Sequence, residues 1–132
     1  MVVGIVGLYS GKALISRAPA GIAAQLFAVA LMIWARITFG RRSFHAAADP
    51  TTGGLVTTGP YAYFRHPIYS AVCLFSLAGA LSHPTAAAFG WFTVVAAGAV
   101  GRMLCEEMLL KQRYPEYAAY ARRTARMVPF VF

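Results

Sequence analysis

The run Thr58-Gly59-Pro60-Tyr61-Ala62-Tyr63-Phe64-Arg65-His66-Pro67-Ile68-Tyr69 carries the densest set of chemically capable side chains in the sequence. Two tyrosines, an arginine and a histidine lie between two prolines, and a third tyrosine follows two residues after the second. Phenol and imidazole groups donate, accept and stack on a ligand, and a guanidinium holds an anion. A second set stands at Arg102, Glu106 and Glu107. Residues 102 and 106 are four apart, so on a helix they share a face and can pair. Ionisable groups beside a membrane interior are costly and tend to be functional. The plainer reading is a helix-end salt bridge with Arg102 snorkelling to the interface, and His66 alone serves equally well as a structural hydrogen-bonding residue. No metal constellation emerges, because His45, His66 and His83 are widely separated. Nor is there a Cys-x-x-Cys pair, a phosphate loop, a Ser/His/Asp set or the glycine fingerprint of a Rossmann nucleotide fold.

The elements that position these residues follow from composition. The 132 residues suffice for one domain, 59% hydrophobic and 12% charged. Soluble chains carry about 25% charged residues, so this one reads as an integral membrane protein. Twelve Lys/Arg against four Asp/Glu give a net charge of +8. The bases cluster at the ends of apolar runs, which suits anionic headgroups and membrane orientation and argues against nucleic acid as a partner. Cys73 and Cys105, in or beside apolar segments, read as buried structural thiols.

Along the chain, Met1 to Gly11 is apolar and short for a span of about 20 residues. Ala18 to Ala35 is uncharged over eighteen residues, and the helix it predicts continues to Phe39 and stops at Gly40. Gly40 to Tyr69 reads as a polar loop forming a lip at a helix mouth. Gly-Pro and His-Pro steps keep its backbone irregular until Pro67 opens the next helix. Pro67 to Gly101 has no Asp, Glu, Lys or Arg, and His83-Pro84 breaks it. That predicts a helical hairpin turning at Ser82-His83-Pro84, with His83 a turn residue. Met108 to Phe132 mixes bases with tyrosines and predicts an amphipathic interfacial helix. The expected fold is all-α: a polytopic membrane protein of about four transmembrane helices, with the hairpin and a C-terminal interfacial helix. The positive-inside rule then puts Arg36, Arg41, Arg42, Arg65 and the basic C-terminal segment in the cytoplasm, with both termini.

The pattern Gly59-Pro60-Tyr61-x-Tyr63-x-Arg65-His66-Pro67-x-Tyr69, then Arg102-x-x-x-Glu106-Glu107, then Tyr114-x-x-Tyr117-x-x-Tyr120 and Val128-Pro129, resembles the isoprenylcysteine carboxyl methyltransferase family. The related phospholipid methyltransferases share much of it. The resemblance runs from about residue 34 to 130, within a single domain over 1–132, and Phe39-Gly40-Arg41 matches the element before the loop. It implies S-adenosylmethionine as methyl donor, bound at the cytosolic surface without a Rossmann fold. It also implies cofactor contacts at Gly53, Gly54, Leu55, Val56, Tyr61, His66, Pro67, Ile68 and Tyr69. Glu107 completes the family's acidic pair and joins that set, while Arg102 and Glu106 lie by the methyl acceptor as the catalytic pair. Two departures stand in the C-terminal part: Tyr114-Pro115 replaces Phe-Gly, and Arg126-Met127-Val128-Pro129 carries one residue more than Arg-Val-Pro.

Methyl transfer from a sulfonium is an in-line displacement that depends on positioning and desolvation. The implied acceptor is an apolar small molecule or lipidated group reached from the bilayer, with a carboxylate as the leading class. A carboxylate is already a nucleophile, which Arg102 would orient while Glu106 fixes the arginine. An amine or thiol acceptor would instead need help in losing a proton. Two other functions compete. A nicotinamide-dependent membrane reductase of the sterol type shares the Arg-His-Pro element but belongs to much longer chains. A non-catalytic membrane scaffold would need none of these side chains for ligand binding.

Overall fold

Pro19, fixed at a helix-compatible φ and lacking the N–H that a first turn cannot use, opens the first long helix. A computed structural model describes residues 1–40 and 54–128. Among these residues the secondary structure is helical, without a strand: α1 Val2–Ser10, α2 Pro19–Phe39, α3 Pro67–Ser82, α4 Ala86–Arg113 and α5 Tyr117–Arg123. A 3-10 turn at Gly59–Ala62 lies between α2 and α3. At Gly40 the backbone takes φ +67°, a conformation that costs glycine little, and α2 ends there as the sequence predicts. Pro67 begins α3 with His66 at its N-cap. Thr85 caps α4, its side chain accepting from the Ala88 N–H at 3.1 Å. The hairpin turn therefore falls at His83 to Thr85, one residue beyond the expected Ser82-His83-Pro84 because Ser82 still belongs to α3.

The lengths revise the four-span expectation. α2 and α4 are long and apolar enough to cross a membrane. At 1.5 Å per residue, α2 measures about 32 Å against a hydrocarbon core of about 30 Å. α4 is about 42 Å long, so its charged C-terminal turns extend past the apolar layer. α3 has 16 residues and α1 nine, both short of a straight crossing. α1 is nonetheless well packed. A Cβ on Gly4 would meet Val95, and one on Gly7 would meet the Trp91 ring. These glycines let α1 lie directly on α4, a mode of close approach common between helices in lipid. Leu8, Ala13, Ala80, Ala88 and Val95 form the buried cluster there.

α3 packs on both α2 and α4. Its buried residues include Ala71, Ser76, Ala78, Gly79 and Ala80, small enough for neighbouring backbone to come close. The connector between α1 and α2 exploits this: a Cβ on Gly79 would stand 2.3 Å from the Leu14 carbonyl oxygen. Buried Gln25 ties the same connector down. Its Oε1 accepts from the Ser16 N–H at 3.0 Å, and its Nε2 donates to Leu14 O at 2.7 Å and Phe75 O at 3.1 Å. Ser16 and Ser82 join by their hydroxyls beside it. These bonds satisfy polar groups that lipid cannot.

Cys73 is half-buried and Cys105 is exposed. The reading of both thiols as buried fails at Cys105, which lies on the side of α4 that α1 and α3 leave uncovered. The C-terminal helix differs too. Tyr117 and Tyr120 are buried against protein, so α5 is not a free amphipathic helix on the interface.

Candidate active site

Two helix ends and two irregular segments converge opposite the α3–α4 turn. The C-terminal part of α4 supplies Arg102, Glu106 and Glu107, and the N-terminal end of α3 supplies Tyr69. The lip supplies Tyr61, Arg65 and His66, and residues 124–127 close over it. Arg102 Nε donates to the Tyr69 hydroxyl at 3.2 Å, and that hydroxyl donates to Glu106 Oε1 at 2.5 Å. The two residues expected to pair on one helix face are thus joined through a tyrosine of the facing helix. His66 Nδ1 lies 3.7 Å from Glu106 Oε2, and the His66 and Tyr69 rings stand 5.9 Å apart between centroids. The Glu106 carboxylate therefore sits between a phenol and an imidazole, with 27% of its side chain accessible. Arg102 is exposed beside it.

Glu107 is different. Its carboxylate is almost fully buried and receives Arg65 Nε at 3.0 Å, with His66 Nε2 at 3.4 Å on the same oxygen. Arg126 Nε approaches the other oxygen at 3.4 Å. The Arg65 guanidinium also donates to the carbonyls of Ala121, at 2.8 Å, and Thr124. Alongside runs a short parallel pairing of Phe64 with Ala125. In it the Arg65 N–H donates to Ala125 O at 2.8 Å, the His66 N–H to Arg126 O at 2.9 Å, and the Ala125 N–H to Tyr63 O at 3.2 Å. Ser70 Oγ donates to Met127 O at 2.5 Å, extending the seam onto α3.

The tyrosines frame this seam. Tyr120 donates to the Tyr61 carbonyl at 2.7 Å, and the Tyr61 ring packs 5.5 Å from that of Phe39. Burial pushes the Tyr120 phenol up to about 12, so it remains a donor at physiological pH. Burial likewise raises the Tyr61 and Tyr117 phenols, with Tyr120 and Glu106 adding to the effect at Tyr61 and Glu107 at Tyr117.

The structure thus gathers Tyr61, His66, Tyr69, Arg102, Glu106 and Glu107 at one end of the molecule. Pro67 is buried at the helix start and Ile68 is half-buried beside it. Gly54, at φ +83°, and Leu55 and Val56 follow the undescribed stretch as irregular chain leading to the 3-10 turn. Gly53, His45, Arg41 and Arg42 lie outside the described residues. Among the described residues no group of His, Cys, Asp or Glu is arranged to hold a metal. Sequence reasoning missed Arg65 and Arg126 as partners of Glu107. The available signal was charge balance: with four acids in the whole chain, a carboxylate at the end of an apolar helix gathers cations from any segment that reaches it.

Helical throughout its described residues, with two helices long and apolar enough to cross a membrane and a charged, tyrosine-rich cluster at one end, the chain has the features of a membrane-embedded class of protein. The model of the isoprenylcysteine carboxyl methyltransferase family matches residues 21–112, and the chain belongs to that family. It is therefore a membrane methyltransferase by descent, and the match takes in α2, the lip, α3 and almost all of α4. No curated protein and no solved structure matches the chain.

Proposed function

We propose that the protein transfers a methyl group from S-adenosylmethionine to an apolar or amphiphilic acceptor, with a carboxylate as the accepting group. The observation that carries this reading is the chain of hydrogen bonds from Arg102 through Tyr69 to Glu106 beneath the lip. The residues fit such a cofactor. The buried Tyr61, His66 and Tyr69 rings gather beside the accessible Glu106 carboxylate, aromatic and anionic surroundings that suit a sulfonium. When bound, the cofactor supplies an electrophilic methyl group. Gly53 to Val56, Tyr61 and the His66–Tyr69 segment would hold it.

Arg102 has the planar fork that matches a carboxylate. With Nε engaged by Tyr69, its outer nitrogens orient the acceptor, and Tyr69 and Glu106 limit its rotamers. For an acceptor that must lose a proton, Glu106 is the base within reach. The lip and the C-terminal segment exclude water from the reacting groups. The acceptor's apolar part remains in the bilayer, and the site faces the cytoplasm because exposed Arg36, Lys111, Arg113, Arg122 and Arg123 all lie at this end.

The experiment supplies the reconstituted protein with methyl-labelled S-adenosylmethionine and amphiphiles ending in a carboxylate, an amine or a thiol. The expected product is a base-labile methyl ester, formed by the wild type and lost in Arg102→Ala. Label in the amine or thiol alone would overturn the carboxylate assignment. No transfer to any acceptor by folded protein would overturn the function.

A further inference from the structure

The resemblance groups Glu107 with the residues that contact the cofactor, but its surroundings in the structure do not suit that role. The residue is 3% exposed, and both its oxygens face cations of the protein itself. We propose that Glu107 is a positioning residue, the pin of a clasp that locks the C-terminal segment 124–127 onto the lip and fixes the imidazole of His66. The inference rests on the methyltransferase reading above for what the clasp serves.

The geometry assigns different work to two adjacent carboxylates. Successive residues on a helix point about 100° apart, so Glu106 faces the accessible side and Glu107 the interior. The His66 ring bridges them, Nδ1 toward Glu106 at 3.7 Å and Nε2 toward Glu107 at 3.4 Å. Neither nitrogen makes a hydrogen bond to these carboxylates; they act as charges on either side of the imidazole and favour the orientation that turns its face to Tyr69. Arg65 and Arg126 come from the two partners of the parallel pairing, and Glu107 takes both. Its single negative charge therefore holds the two segments together from below while backbone hydrogen bonds hold them along their length. Loss of that charge leaves the Arg65 guanidinium buried against Glu107's place without its counter-ion, a strongly unfavourable state. The lip and the segment then separate, and His66 loses its orientation. Glu107 touches neither acceptor nor cofactor in this scheme; it acts through His66 and Arg65.

The test uses the full chain in detergent, with Glu107→Gln, which keeps shape and removes charge, and Arg126→Met and Arg126→Lys, which change the more exposed partner. Three quantities are read: amide exchange at Arg65, His66 and Ala125, the affinity for S-adenosylmethionine, and KM for the acceptor. Glu107→Gln is expected to speed exchange at those amides and weaken cofactor affinity by about tenfold or more, the scale of a lost charge-assisted contact. Arg126→Met is expected to do the same to a smaller degree, with Arg126→Lys restoring most of it and the acceptor KM unmoved throughout. Weakened affinity in Glu107→Gln with Arg126→Met unaffected would make Glu107 a direct cofactor contact and overturn the clasp. Lower melting temperatures with unchanged affinity and exchange would reduce it to general packing and also overturn it. If the wild type binds no S-adenosylmethionine, the methyltransferase reading fails, and the clasp then stands or falls on the amide exchange alone.

Discussion

Tyr69 makes the clearest case at the scale of single residues. Its hydroxyl receives Arg102 Nε and donates to Glu106, so one oxygen orders both groups assigned to the acceptor. Tyr69→Phe removes that oxygen and keeps the buried ring. The expected outcome is a fall in kcat of about tenfold or more, as for loss of a positioned catalytic group. Thermal stability should change by no more than about 1.5 kcal/mol, the usual net worth of one hydrogen bond. A variant turning over like the wild type would detach Tyr69 from the chemistry. The residue types here were legible in the sequence, because few soft choices remain when an apolar chain concentrates tyrosine, arginine and histidine in one short run. Their partnerships were less so. Arg102 and Glu106 carried a pairing rule of local spacing, and the structure inserts a residue 33 and 37 positions away between them. Arg65 reaches Glu107 across 42 positions, a distance over which no spacing rule operates.

At the scale of elements, helix ends were the most legible feature, because they depend on local chemistry. Pro19 and Pro67 open α2 and α3, Gly40 closes α2, and the His83-Pro84 step breaks the apolar run. The short helices were not legible in the same way. α1 is held by glycine contacts with α4, and α5 by tyrosines buried under the lip, both decided by tertiary packing. Glycine substitutions separate these influences. In Gly79→Ala the new methyl would stand 2.3 Å from a backbone oxygen of the connector, which cannot rotate away. A loss of about 1–3 kcal/mol is expected, as for overpacking. Gly101 lies on the same side as Cys105 with nothing within 4 Å of an added Cβ. Gly101→Ala should be neutral or stabilise by up to about 1 kcal/mol through helix propensity. Comparable melting temperatures for the two variants would contradict the described seating of the connector against α3.

At the scale of the whole molecule, the two ends do different work. One end holds the buried polar network of Gln25, Ser16 and Ser82 and the tight turn at His83. The other gathers every charged group of the proposed site. This division follows from α2, the lip, α3 and α4 alone and does not need α1 to cross the bilayer. Sequence composition identified a membrane protein. It counted about four spans, and length supports two of them, since α1 and α3, already short in the sequence, are apolar helices below a straight crossing. The central claim is that this charged end holds S-adenosylmethionine. The most direct measurement is a calorimetric titration of that cofactor, and separately of a reduced nicotinamide, into the folded protein in detergent. The account predicts saturable binding of S-adenosylmethionine and none of the nicotinamide. Binding of the nicotinamide alone, or of neither by protein that keeps its helical content, would contradict it.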